Sequence, residues 1–173
     1  MKEKVDKIIN RVKKSPLITI DIKEYYQEGK RDKINFSSFL EDDILIEKKF
    51  RENLKNYNWN QFKNSFVYVV LEEDIIVPSW AFILISHYLS NSCKNYVFGD
   101  RKNLEEKLYL EKINNIDFQS FKGKKVIIKG CSEIPYFEYV YFELTKKLSQ
   151  VVFSLMYGEP CSTVPIFKNK ISK

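Results

Sequence analysis

The sequence predicts an α/β domain, a three-layer sandwich with a mostly parallel central sheet and antiparallel edge strands contributed by its N-terminal third. Three observations carry this expectation. Short β-branched runs alternate with helical stretches of ten or more residues from Phe66 onward. Phe66-Val67-Tyr68-Val69-Val70-Leu71 is a near-continuous apolar run, of the kind buried on both faces in parallel sheets. No linker interrupts the 173 residues, so a single domain over 1–173 is expected.

Taken in order, Val5, Ile8, Ile9 and Val12 recur at helical spacing, and Ser15-Pro16 ends that run. Leu17 to Ile22 alternates like a strand, and a second short strand is expected near Ile34-Asn35-Phe36. Asp43 to Ile46 reads as a further strand, feeding a helix in which Phe50 and Leu54 share a face. After the strand at Phe66–Leu71, helices are expected over about Pro78–Leu89 and Asn103–Ile113, with a strand at Tyr96–Phe98 between them. Lys125–Gly130 is a strand, and a long helical stretch runs from Pro135 to about Met156 with Gly158 as its C-cap. Ser162–Phe167 reads as an edge strand or arm, because Pro165 is unsuited to a central one.

Composition excludes several classes. Hydrophobic residues make up 44% of the chain, too many for a disordered protein. The net charge of +6 suggests nucleic acid, yet only Arg11, Arg31, Arg51 and Arg101 are arginine, and the lysines are spread among acids. Phosphate and base recognition favours the arginine fork, so nucleic acid is not an expected partner. Neither is a membrane, because the longest apolar run, Ile75 to Ile85, is interrupted by Pro78 and Ser79 and is too short to span a bilayer. The opening residues Met1 to Asp6 lack the apolar core of a secretory signal, so the expected location is the cytoplasm. There Cys93, Cys131 and Cys161 are expected to remain thiols.

In open α/β sheets ligands sit beyond the carboxyl ends of the strands. Three loops should open on that edge, offering Glu72, Glu73 and Asp74; Gly99 and Asp100; and Gly130, Cys131, Ser132 and Glu133. Cys131 is the candidate nucleophile, since it follows a strand and precedes a helix whose N-terminus favours a thiolate. Gly130 would let the backbone approach a ligand closely. Glu72, Asp74, Gly99, Asp100, Gly130 and Ser132 are the candidate ligand-binding residues on this edge. His87 is the sole histidine and lies mid-helix, which argues against a Cys–His hydrolase. No Cys-x-x-Cys pair, P-loop, dinucleotide fingerprint or serine elbow is present, and neither a metal nor a cofactor is indicated. A continuous helix from Pro135 to Met156 would span about 30 Å, holding Cys131 and Cys161 too far apart for a disulfide or a shared metal. A break at Ser149 would shorten that separation.

Ile75–Ala81, Val97-Phe98-Gly99-Asp100, Lys129-Gly130-Cys131 and the run Met156–Pro165 resemble a bacterial family known as domain of unknown function 2480. Gly158-Glu159-Pro160-Cys161-Ser162-Thr163-Val164-Pro165 is the most specific part of the likeness. The resemblance implies a small cytosolic bacterial protein without an assigned activity, encoded in many genomes near iron–sulfur cluster assembly. It brings Cys161 forward beside Cys131 as a candidate site residue. Two readings follow: an accessory protein of sulfur or iron–sulfur handling, or a small-molecule enzyme using the acidic strand-end pocket. A third is a purely structural interaction domain. The partners to expect are proteins of cluster assembly, and the excess of Tyr and Phe suits a homo-oligomer face.

Overall fold

The strands are shared between two sheets. A computed structural model describes residues 17–169, so the expected helix through Val5, Ile8, Ile9 and Val12 lies outside the described residues. The chain runs through β1 (Leu17–Asp21), β2 (Lys30–Asn35), α1 (Glu47–Asn56), β3 (Ser65–Val70), α2 (Ser79–Ser90) and β4 (Asn95–Phe98). It continues through α3 (Arg101–Asn114), β5 (Lys125–Lys129), α4 (Phe137–Leu148), β6 (Ser154–Glu159) and β7 (Ser162–Lys168). One sheet has the order β1-β5-β6-β7 and the other β2-β3-β4. They belong to two compact units: a first, up to Tyr26 and from Lys112 onward, and a second, Gln27–Glu111. The α/β class and the mostly parallel pairing are as the sequence predicts, since only β6–β7 is antiparallel.

The second unit is a three-layer sandwich around β2-β3-β4. Successive residues of β3 face opposite sides. Val67 and Val69 pack with Phe50 and Leu54 of α1 and with Ala81, Ile85 and Leu89 of α2. Phe66 and Tyr68 pack with Leu104 and Leu108 of α3. The i, i+4, i+8 spacing of Ala81, Ile85 and Leu89 sets one stripe of α2 against the sheet. Aromatic rings fill the α1 side, with Phe39 stacked on Trp59 and Phe36 on Phe50. Trp59 Nε1 donates to the Leu54 carbonyl at 2.7 Å, satisfying an orphan acceptor at the end of α1.

An ion pair is buried on the α3 side. Arg31 of β2 donates through Nε and Nη2 to the two Glu105 oxygens at 2.8 and 2.9 Å. The Glu105 side chain is 0% exposed and that of Arg31 5%. Arg31 also lies over the Phe66 ring, 5.1 Å from its centroid.

Edge strand β4 carries its own protection. The Tyr96 N–H donates to Asn95 Oδ1 at 2.8 Å, and its carbonyl accepts from Lys107 Nζ at 2.7 Å. Lys107 reaches this edge from α3, and a lysine covering an edge strand's free carbonyl opposes strand addition by another chain. Lys107→Ala should leave unfolding within about 0.5 kcal/mol of wild type but increase concentration-dependent self-association, which light scattering would register.

In the first unit, β5 is buried along Val126, Ile127 and Ile128, and α4 buries Val140, Leu144 and Leu148 at i, i+4, i+8. Three expectations need correction here and in the second unit. The N-terminal strands β1 and β2 are edge strands, but both pair in parallel, β1 with β5 and β2 with β3. Asp43–Ile46 forms no strand, only an isolated bridge between Glu41 and Ile44. Asp42 and Asp43 sit there at positive φ, a turn conformation that short acidic side chains tolerate. The helix from Pro135 ends at Leu148, and Gly158, expected as a C-cap, lies within β6 at φ 118°.

Candidate functional site

The sequence-predicted residues fall into two groups. Glu72, Asp74, Gly99 and Asp100 follow β3 and β4, which are parallel neighbours in the second unit. Gly130, Cys131 and Ser132 follow β5, and Cys161 lies between β6 and β7, in the first unit. The expectation that the loops after Leu71, Phe98 and Gly130 open on one sheet edge is therefore overturned. β5 takes its neighbours β1 and β6 from the other sheet.

In the second unit the acidic residues have local roles. Glu72, Glu73 and Asp74 are exposed in a turn closed by the Ile75 N–H donating to the Glu72 carbonyl at 3.2 Å. Asp100 caps α3: its Oδ1 accepts from the Asn103 N–H at 2.9 Å, and Asn103 Oδ1 accepts from the Asp100 N–H at 2.9 Å. Gly99, at φ 135°, leaves room for that exchange, because a Cβ there would come within 2.4 Å of Asn103 Oδ1. The α2 helix and β4 also border an apolar hollow of about 370 Å³, lined by Phe82, Ile83, Ile85 and Phe98 among others.

The first unit gathers more chemistry at one edge. β5 and β6 run parallel with Lys125 opposite Ser154 and Ile128 opposite Tyr157. Both strands therefore end on the same side, and the loop carrying Cys131 leaves next to the Pro160-Cys161 turn of the β6–β7 hairpin. Lys129 at the end of β5 bridges to Asp21 of β1 at 3.7 Å and to Glu159 of β6 at 3.4 Å, tying three strand ends together. The correction to α4 makes this arrangement possible. A 12-residue helix followed by a strand returns the chain to the edge it left.

Around Cys131 the groups are polar and partly covered. Cys131 is half-buried, while Cys161 is exposed at the hairpin tip. The Lys23 ammonium, 2.9 Å from Glu133, is held protonated above the usual lysine range by Glu133 first and also by the charge of Cys131. Glu133 is correspondingly lowered by Lys23. The Tyr141 hydroxyl of α4 and the Tyr157 hydroxyl of β6 both come against the backbone at Gly130, beside Cys131. Burial first, then the Tyr157 hydroxyl, pushes the Tyr141 phenol up to about 12, so it stays protonated throughout the physiological range. The loop ends at Tyr136, which takes the left-handed conformation at φ 54° just before α4. That conformation is costly for a bulky side chain.

Sequence reasoning singled out none of Tyr141, Tyr157, Lys23 and Lys129 as a site residue. The available signal was Gly130: a close approach was expected there, and the groups that approach are the two phenol hydroxyls. Cys93 is separate in kind. Its thiol donates to the Leu89 carbonyl at 3.3 Å, and burial pushes it up to about 11. Among the described residues no group of three or more His, Cys, Asp or Glu is arranged to hold a metal ion. Among them, too, no helix is long and apolar enough to cross a membrane.

A family model described as Protein of unknown function (DUF2480) matches residues 6–169, so the chain belongs to that family. No curated protein and no solved structure matches it.

Proposed function

We propose that this member of the DUF2480 family is an accessory protein of sulfur handling, which takes up sulfane sulfur at Cys161 and passes it to Cys131. The supporting observation is the β5–β6 register, by which the loop after β5 and the turn after β6 emerge side by side. The two thiols differ as a relay requires: Cys161 is exposed and Cys131 half-buried.

The chemistry is exchange without net oxidation. The Cys161 thiolate attacks the outer sulfur of a donor persulfide, R–S–SH. A new S–S bond forms, the donor's S–S bond breaks, and the donor leaves as R–S⁻. The Cys131 thiolate then attacks the terminal sulfur on Cys161, giving the Cys131 persulfide and releasing the Cys161 thiolate. Thiolate is the reactive form in both steps. Lys23, kept cationic by Glu133, is coupled through charge to Cys131, the thiolate that attacks in the second step. The exposed acids of the second unit offer no comparable pairing of groups, and Asp100 is committed to its helix cap.

The test is a single exposure of the purified protein to cysteine persulfide, with the added sulfur located by mass spectrometry. Wild type should carry it first on Cys161 and then on Cys131. Cys131→Ser should retain it on Cys161, and Cys161→Ser should load Cys131 at least about tenfold more slowly, equivalent to about 1.4 kcal/mol of barrier. Sulfur found on neither residue would end the reading.

A further inference from the structure

We infer that Tyr141 and Tyr157 are positioning residues for Cys131, and that residue 130 is glycine because their hydroxyls occupy the space a side chain would need. The inference deepens the sulfur-relay reading and rests on it for its functional meaning.

A Cβ built on Gly130 would lie 2.4 Å from the Tyr157 hydroxyl and 2.8 Å from that of Tyr141. No φ in the left-handed range accounts for a glycine here, unlike Gly99, Gly123 and Gly158. The requirement is therefore one of space. The two hydroxyls come against the backbone one residue before the thiol. The rings meet edge to face, with centroids 5.7 Å apart at 89°, so each fixes the other's rotamer.

The origins of the two tyrosines give the device its meaning. Tyr157 belongs to β6, the strand that leads to Cys161, and Tyr141 to α4, the helix that follows the Cys131 loop. The two rings and their hydroxyls, meeting at Gly130, thus link the two cysteine-bearing segments through groups that do not react. A protonated phenol pair can hold that position without acting as a base. Loss of either hydroxyl should let the Cys131 loop open away from the hairpin.

The experiment uses the full chain with Tyr141→Phe, Tyr157→Phe, the double variant and Gly130→Ala. Two rates are read in each: alkylation of Cys131 by iodoacetamide across pH, with Cys161 in the same molecule as internal reference, and transfer of sulfane sulfur from Cys161 to Cys131. Tyr141→Phe should raise Cys131 alkylation and lower transfer, each about three- to tenfold, the span of one hydrogen bond. Alkylation of Cys161 should not change. The double variant should do no more than Tyr141→Phe alone, because both act at one point of the backbone. Gly130→Ala should reproduce the same opposed changes.

A merely structural role would lower stability without moving the two rates in opposite directions, and thermal unfolding of each variant separates that case. If Tyr141→Phe leaves the Cys131-to-Cys161 alkylation ratio at its wild-type value, the positioning role is overturned, whether or not sulfur moves. If the ratio shifts while wild type transfers no sulfur, the positioning role stands and the relay reading fails.

Discussion

Glu105→Ala is expected to cost about 3–5 kcal/mol of unfolding free energy, measured by urea denaturation. Stabilities of whole domains are only about 5–15 kcal/mol, so the variant should be marginally folded at 37 °C. The reason is asymmetry. Glu105 is 0% exposed and Arg31 5%, and the guanidinium donates to both carboxylate oxygens. Removing the acid leaves a cation that cannot lose its proton inside the α3 side of the second unit. Arg101 lies 3.8 Å from the same carboxylate from a largely exposed position, and it cannot replace the lost anion. Replacing both partners by apolar residues, as in Arg31→Met with Glu105→Leu, should recover most of the loss. A double variant as unstable as Glu105→Ala would show that the pair does more than neutralise itself.

Gly158→Ala should be the next most damaging change, at about 1–3 kcal/mol. Gly158 lies in β6 at φ 118°, and a Cβ there would come 2.6 Å from the Ser162 carbonyl oxygen on the paired strand. Backbone cannot give way as the end of a side chain can. The hairpin must shift, and the Pro160-Cys161 turn shifts with it. The variant should therefore lose stability and also slow loading of Cys161. Ordinary stability with unchanged loading would mean that the hairpin tolerates the strain.

Much of the architecture was legible because its elements announce themselves locally. Phe50 and Leu54 on a charged helix, and the unbroken run through β3, specify their elements by pattern alone. The end of α4 was hidden for a physical reason. Val140, Leu144, Leu148 and Val152 are all buried at fourfold spacing, so the helical period continues four residues beyond the helix. The competing signal was the β-branched pair Val151-Val152 after Ser149-Gln150, which disfavours further helix. The division into two sheets was not legible at all. Pairing β1 with β5 joins segments from opposite ends of the chain, and no local pattern encodes such a partner.

The site was legible in part. Gly130, Cys131 and Cys161 were singled out, and the register brings the last two to one edge. Their association with Glu72 and Asp100 was an artefact of assuming one sheet. Tyr141 and Tyr157 were lost among many aromatics, since only the coordinates show which rings meet a thiol-bearing loop. The Arg31–Glu105 pair had a faint sign in the sequence. Arginine is scarce in a chain rich in lysine, and a scarce arginine marks places where its planar fork is needed.

The relay depends on two sulfurs being neighbours at the carboxyl edge of the β1-β5-β6-β7 sheet. Dibromobimane, which becomes fluorescent only when it has alkylated two thiols, tests this directly in a Cys93→Ser variant of the reduced protein. The expected result is a fluorescent adduct at equimolar reagent in which one bimane joins the peptides of Cys131 and Cys161 of the same chain. Singly alkylated products alone, at every reagent ratio, would contradict the account.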